Sequence, residues 1–250
     1  MTELVSVVMP VHNAEKYIDV AIQSVIAQTY TNWELIVVND GSTDGSEKII
    51  RQYASADARI HLINMESPSG TPTKPRNEGM KRAHGRYIAF LDSDDAWFPN
   101  KLTEQIPLFR DEQTAIVYTN YEKMSESGIR HNRIVVAPQT ADYERLLKGN
   151  VIGNLTGIYD TAKTGKRLCR NVHHEDYVLW LSILKEGFIA RNTNTIGGLY
   201  RVRDNSVSSS KWKLLPWQWH IYIEIEKTGY LRAMYYYACY ALQAIRKRLI

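Results

Sequence analysis

The chain opens with short apolar runs alternating with longer stretches of helical period. Residues 6–9 (SVVM) read as a buried strand stopped by Pro10. Over residues 14–28, Ile18, Ile22, Val25 and Ile26 recur at helical spacing behind Asn13, a residue type that caps helices. Residues 34–38 predict a second strand ending at Asn39 and Asp40, residues 41–45 a turn, residues 46–53 a second helix and residues 59–63 a third strand. A loop rich in Ser, Pro, Gly and Thr covers residues 67–75, and a short helix follows it towards Gly85. Residues 87–91 (YIAFL) predict a fourth strand that ends in Asp92; being nearly all apolar, it suits a position covered on both faces. This βαβα order implies an α/β fold with a mostly parallel central sheet flanked by helices.

The second half is less regular. Residues 115–118 suggest a short strand and residues 124–138 a hairpin or loop. Residues 175–185 are helical, with Tyr177, Trp180, Leu181 and Leu184 on one face. Residues 189–202 read as strand and loop, and from Pro216 the chain is mainly helical.

At 250 residues and 44% hydrophobic, the chain is expected to hold one core, with a short extension. Cys169 and Cys239 stand far apart, which argues for a reducing compartment. No signal peptide and no uncharged apolar span of bilayer length is visible. The net charge of +4 is unevenly placed: residues 211–250 carry seven basic and two acidic side chains, leaving about −1 for residues 1–210. That places the boundary of a basic, aromatic extension near Lys211. It argues against a nucleic-acid enzyme, which spreads basic residues along its groove.

The polar residues that end the strands converge. In an open parallel sheet, ligands bind beyond the carboxyl ends of the strands. Here those ends carry Pro10, Val11, His12, then Asn39 and Asp40, then Asp92, Ser93, Asp94 and Asp95. Asp92 and Asp94 offer hard oxygen ligands for Mg²⁺ or Mn²⁺, with a diphosphate to complete the shell. Helix capping by Asp94 or Asp95 is the plainer reading. Asp40 suits recognition of a base, or simple turn chemistry. Arg76 suits a phosphate or base edge, or faces solvent. Asp176, with Glu175 beside it, could take a proton from an acceptor hydroxyl, its pKa held low by the helix N-terminus; N-capping is the alternative. His173 and His174 read as loop residues. Arg201 and Arg203, before a Ser-rich segment at 206–210, suit closure over a diphosphate, or a plain basic linker. Glu175 and Trp180 are the acceptor candidates. In the C-terminal extension, Trp and Tyr interleave with Lys and Arg, and Leu231, Met234, Ala238, Leu242, Ile245 and Leu249 recur at helical spacing. This fits a helix on an anionic membrane surface, a helix packed on the body, or a homodimer seam.

Taken together, Val5 to Asn13 (VSVVMPVHN), Ser24 to Tyr30 (SVIAQTY), Val38 to Asp44 (VNDGSTD), Arg76-Asn77 and Gly85 to Asp95 (GRYIAFLDSDD) resemble the family 2 glycosyltransferases of GT-A fold. The likeness spans Val5 to about Ser210 and is nearest to bacterial enzymes of capsule, O-antigen or teichuronic-acid synthesis. It implies that Pro10, Val11, His12 and Asn13 line the donor nucleotide with Ser93, that Asp40 binds the base, and that Arg76 lies near the nucleotide. It implies that Asp92 and Asp94 hold Mn²⁺ or Mg²⁺, Asp94 more directly, and that Asp176 is the base of an inverting displacement. A UDP-sugar donor, a glycan or undecaprenyl-linked acceptor and a cytoplasmic site at the inner face of the plasma membrane follow from the same likeness. Two positions depart from it: His12, where another aromatic or polar residue is common, and Arg203, where a His is common. The rival functions are a metal-dependent nucleotidyltransferase and a non-catalytic nucleotide-sugar-binding subunit.

Overall fold

Continuous apolar runs become the central strands of one sheet in the computed structural model, which describes residues 2–203 and 211–249. In chain order the elements are β1 (Val5–Val11), α1 (Ile18–Ile26), β2 (Trp33–Asn39), α2 (Ser46–Ala56), β3 (Ile60–Asn64), α3 (Thr73–Arg82), β4 (Tyr87–Phe90), β5 (Ala96–Trp97), α4 (Lys101–Gln105), β6 (Thr114–Met124), β7 (Arg130–Val135), β8 (Thr140–Ala141), α5 (Tyr143–Leu147), β9 (Ile158–Asp160), α6 (Thr161–Thr164), α7 (Glu175–Leu184), β10 (Ile189–Arg201), α8 (Lys211–His220) and α9 (Tyr230–Leu249). A π-helical turn, Ile221–Ile225, joins the last two helices.

The strand order is β3-β2-β1-β4-β9-β6-β10-β5, with β7 paired to β6 and β8 to β10. β3, β2, β1 and β4 are mutually parallel, as are β6 and β10; the short β9 runs antiparallel between the two groups. Alternate side chains of each central strand enter opposite cores. Val7, Met9, Leu35 and Val37 meet Ile18, Ile22 and Val25 of α1 on one face. Val8, Ile36, Val38, Ile88 and Phe90 meet Met80 of α3 and Trp180 of α7 on the other. Gly79 lets α3 approach that closely, because a Cβ there would stand 2.6 Å from Val8 Cγ1.

Several sequence expectations move. The first helix begins at Ile18, and Asn13 does not cap it: Asn13 is left-handed (φ 50°) and its Oδ1 accepts from the Thr43 N–H at 2.8 Å. The suggested short strand at 115–118 is the start of the eleven-residue β6, and the hairpin at 124–138 is real, β7 pairing antiparallel with β6. Neither Asp94 nor Asp95 caps the helix containing Lys101; Asn100 occupies that position. The extension packs one side on the body. Tyr222 Oη donates to Leu147 O at 2.5 Å, Tyr143 Oη donates to Glu226 at 2.6 Å, and Lys185 meets the same carboxylate at 2.9 Å. Cys169 and Cys239 are both free. Among the described residues, no helix is long and apolar enough to cross a membrane. The Ser-rich segment 206–210 lies outside the described residues.

Candidate active site

The carboxyl ends of β1, β2 and β4 carry the predicted polar groups, and each is held by a different device. Asp92 follows β4 in a tight turn closed by Asp95 N–H to Asp92 O at 3.0 Å. Its Oδ1 accepts from Arg76 Nη2 at 2.7 Å and its Oδ2 from Asn154 Nδ2 at 3.2 Å. Ser93 and Asp94 are half-buried beside it. Arg203 Nε lies 3.1 Å from Asp94 Oδ2. Burial, then the neighbouring Asp92 charge, raises the Asp94 pKa, while Arg203 opposes the rise. Asp95 is buried, its carboxylate accepting from the Arg201 N–H at 2.8 Å, and burial pushes its pKa well up.

Arg76 is the hub. It is 3% exposed, and its other terminal nitrogen bonds Glu175 Oε1 at the start of α7. Burial works against its charge, but Asp92 and Glu175 outweigh burial and raise its pKa. A solvent-facing Arg76 is therefore ruled out, and its two terminal nitrogens hold carboxylates. Asn77 adds a second tie between α3 and the approach to α7: its amide donates to Cys169 O at 2.8 Å and accepts from Cys169 N–H at 2.7 Å.

This frame sets Asp176 next to Glu175. The expectation of a low Asp176 pKa is overturned: burial first, then the Glu175 charge, raises it from 3.8 to about 7, with Arg76 opposing. The helix N-terminus is outweighed because the carboxyl leaves water beside another carboxylate. Glu175 is bound to Arg76 through Oε1, which makes it a strut between α3 and α7. Trp180 cannot touch an acceptor. It is fully buried, edge-on to Phe90 and Tyr159 with ring centroids 5.8 and 6.3 Å away. His173 does reach the surface, where it stacks on Trp217 of α8 at 3.6 Å between centroids.

At the β1 and β2 ends, His12 Nδ1 donates to Asp40 O at 2.7 Å. A carbonyl only accepts, so Nδ1 carries a proton. The Asp40 carboxylate is buried and accepts twice from Ser69, at 2.8 Å from the N–H and 2.7 Å from the hydroxyl. Pro10 is half-buried at the rim. Val11 offers a nucleotide nothing: its side chain is in the core and its carbonyl accepts the Asp40 N–H at 2.7 Å. Arg201 is likewise not a phosphate ligand. It is buried, donating to Asp94 O at 2.7 Å and Glu126 O at 2.8 Å, with its guanidinium 4.7 Å over the Tyr17 ring. Arg203 is 44% exposed at its side chain and pairs with Asp94.

Sequence reasoning missed Asn154, Ser69 and Trp217, which lie against these residues from positions remote in sequence, with no local motif to flag them. Asn154 Oδ1 and Arg76 Nε are buried without a hydrogen-bond partner among the described residues. Orphaned polar atoms beside two carboxylates suit a site shaped for a polar ligand. Among the described residues no three His, Cys, Asp or Glu side chains gather to hold a metal by themselves. Asp92 and Asp94 are hard oxygen donors of the kind that Mg²⁺ takes alongside the phosphates of a nucleotide.

The sequence profile described as Glycosyl transferase family 2 matches residues 6–167. The chain belongs to this family. Among this glycosyltransferase's curated relatives, a Bacillus subtilis protein named for teichuronic acid biosynthesis, TuaG, is 40% identical over 98% of both chains. The Escherichia coli enzyme WfgD, a UDP-Glc:α-D-GlcNAc-diphosphoundecaprenol β-1,3-glucosyltransferase, is 41% identical over 98% of this chain and 94% of its own. Its fold is shared by Staphylococcus aureus TarS 1-349, solved with UDP-GlcNAc (TM-score 0.68, 21% identity, 89% of this chain and 67% of that one). It is shared too by a Pyrobaculum calidifontis mannosyltransferase solved with GDP-Man and Mn²⁺ (TM-score 0.71, 16% identity, 95% and 70%). This is the expected GT-A architecture.

Proposed function

We propose that this family 2 glycosyltransferase moves a sugar from a UDP-sugar to a hydroxyl of a lipid-linked saccharide, with inversion, in bacterial surface polysaccharide synthesis. The donor and acceptor classes follow the activity named for WfgD, which aligns over nearly the whole chain. The observation that carries the mechanism is the placement of Asp176. A carboxyl with a pKa of about 7 sits one residue from the strut that Arg76 ties to Asp92. A base titrating near neutrality balances availability against proton affinity.

In this reading Asp94 and Asp92 hold Mn²⁺ or Mg²⁺. Such a cation would neutralise charge on the departing diphosphate. Arg203 turns from Asp94 to the same phosphates. Asp40, with His12, Asn13 and Ser93 nearby in sequence or space, frames the nucleoside, Ser69 supplying part of the wall. Asp176 takes the proton of the acceptor hydroxyl as its oxygen attacks the anomeric carbon from the face opposite the diphosphate. Arg76 bridges Glu175 and Asp92 and so fixes the base relative to the cation site.

A nucleotidyltransferase would need a phosphate-cradling loop after β1. Here Asn13 and His12 are committed to the 41–45 turn and the Asp40 carbonyl. A non-catalytic subunit would have no use for a carboxyl tuned this way. The test is titration of UDP with and without Mn²⁺, followed by Asp94→Ala. Metal-dependent UDP binding that is lost in the variant supports the assignment; binding of equal strength in both removes Asp94 from the cation site.

A further inference from the structure

Among its described side chains, helix α9 packs one side. Ala233 and Tyr236 are buried, Tyr236 Oη donates to Glu144 at 2.5 Å, and Tyr237 meets Trp219 edge-on at 5.7 Å. The other side carries Leu231, Met234, Tyr235, Ala238 and Leu242, all exposed, with Leu231 at 81%. Those positions fall on one face of a helix of 3.6 residues per turn. An apolar stripe of this length in water marks a surface that meets something.

The charge pattern selects the partner. The twenty residues of α9 include Arg232, Arg246, Lys247 and Arg248 and no Asp or Glu. Lys227, exposed, precedes them. In sequence register, Arg232 falls on the flank of the apolar face. Two copies paired through this stripe would set cations against cations, with no anion on either helix to meet them. A membrane with anionic headgroups answers both features: tyrosines and leucines enter the interface and the flanking cations meet phosphate.

We propose that α9 is a membrane-docking helix that lies in the interface of an anionic bilayer with its Leu231–Leu242 face inward. It would lie on the surface, since among the described residues no helix qualifies to cross. The same extension lays Trp217 on His173, three residues before Asp176, so docking holds the base side of the site to the lipid. The inference does not depend on the identity of donor or acceptor.

The test is co-sedimentation of the full chain with vesicles of phosphatidylcholine, alone or with about one third phosphatidylglycerol, at low and high salt. The expected result is binding to the anionic vesicles that is about tenfold weaker on neutral ones and weakened by salt. The variant L231E/L242E should lose binding about tenfold, with unchanged thermal unfolding and unchanged sedimentation in vesicle-free solution. Equal binding by variant and parent, or no preference for anionic vesicles, overturns the proposal. So does a vesicle-free dimer that the variant dissociates, which would assign the stripe to a second copy.

Discussion

Asp176 shows how far environment outweighs position. At a helix N-terminus a carboxylate is ordinarily stabilised, but here burial beside Glu175 raises its pKa to about 7. The acid must lose its proton to act as base, so kcat/KM should fall about tenfold per unit as pH drops below about 7. A rate flat from pH 8 to pH 5, measured by UDP release, would take Asp176 out of the proton transfer. The same shift has a stability sign. The native carboxyl resists ionisation between its ordinary 3.8 and about 7, so its burial costs stability increasingly as pH rises through that window. Asp176→Asn should therefore raise the melting temperature more at pH 8 than at pH 5. The carboxylates themselves were legible, because Asp92, Asp94 and Asp176 end or begin apolar runs. Their partners were not: Arg76 and Glu175 are 99 positions apart, and no periodicity links them. Trp180 misled for a related reason, since an aromatic on a catalytic helix reads the same whether it faces core or cleft.

Elements carry these residues, and α3 is the most exacting. A Cβ at its Gly79 would press on the Val8 and Val38 side chains of two central strands. Gly79→Val should destabilise by about 1–3 kcal/mol through overpacking, read as a lower melting temperature. Arg76, one turn earlier, fastens the same helix to α7. Arg76→Met would leave Asp92 and Glu175 half-buried without their cation, with an expected loss of about 3–5 kcal/mol. It would also move the acid limb of the pH profile upward, because the Arg76 charge lowers the Asp176 pKa. A profile unmoved in a folded variant would show that the bridge is structural alone. At this scale β1, β2 and β4 were readable as continuous apolar strands buried on both faces. β10 was not. Its pairing with β6 shifts register between Asn192 and Ile196, where Asn194 is left-handed (φ 64°), and Asn and Thr there break the alternation that marks a strand. β6 was read too short because it runs on through Thr119, Asn120, Glu122 and Lys123, polar residues whose strand state is set by neighbours in the sheet.

The whole molecule joins a parallel half, which ends in His12, Asp40, Asp92 and Asp94, to a mixed half, which brings Asp176. A ligand that engages both should stabilise the fold by linkage. UDP with Mn²⁺ at a hundred times its dissociation constant would add about 2.7 kcal/mol, a rise of roughly 5–10 °C for a chain of this size. Adding EDTA should reverse it, and a shift indifferent to EDTA would detach nucleotide binding from Asp92 and Asp94. The most direct measurement is acceptor-dependent UDP release from UDP-glucose, with Mn²⁺ and a GlcNAc-diphospholipid, by the parent and by Asp176→Asn. Release by the parent, falling by about 10²–10⁴-fold in the variant while UDP affinity holds, is the predicted result. Release by the variant at the parent's rate would contradict the account at its centre.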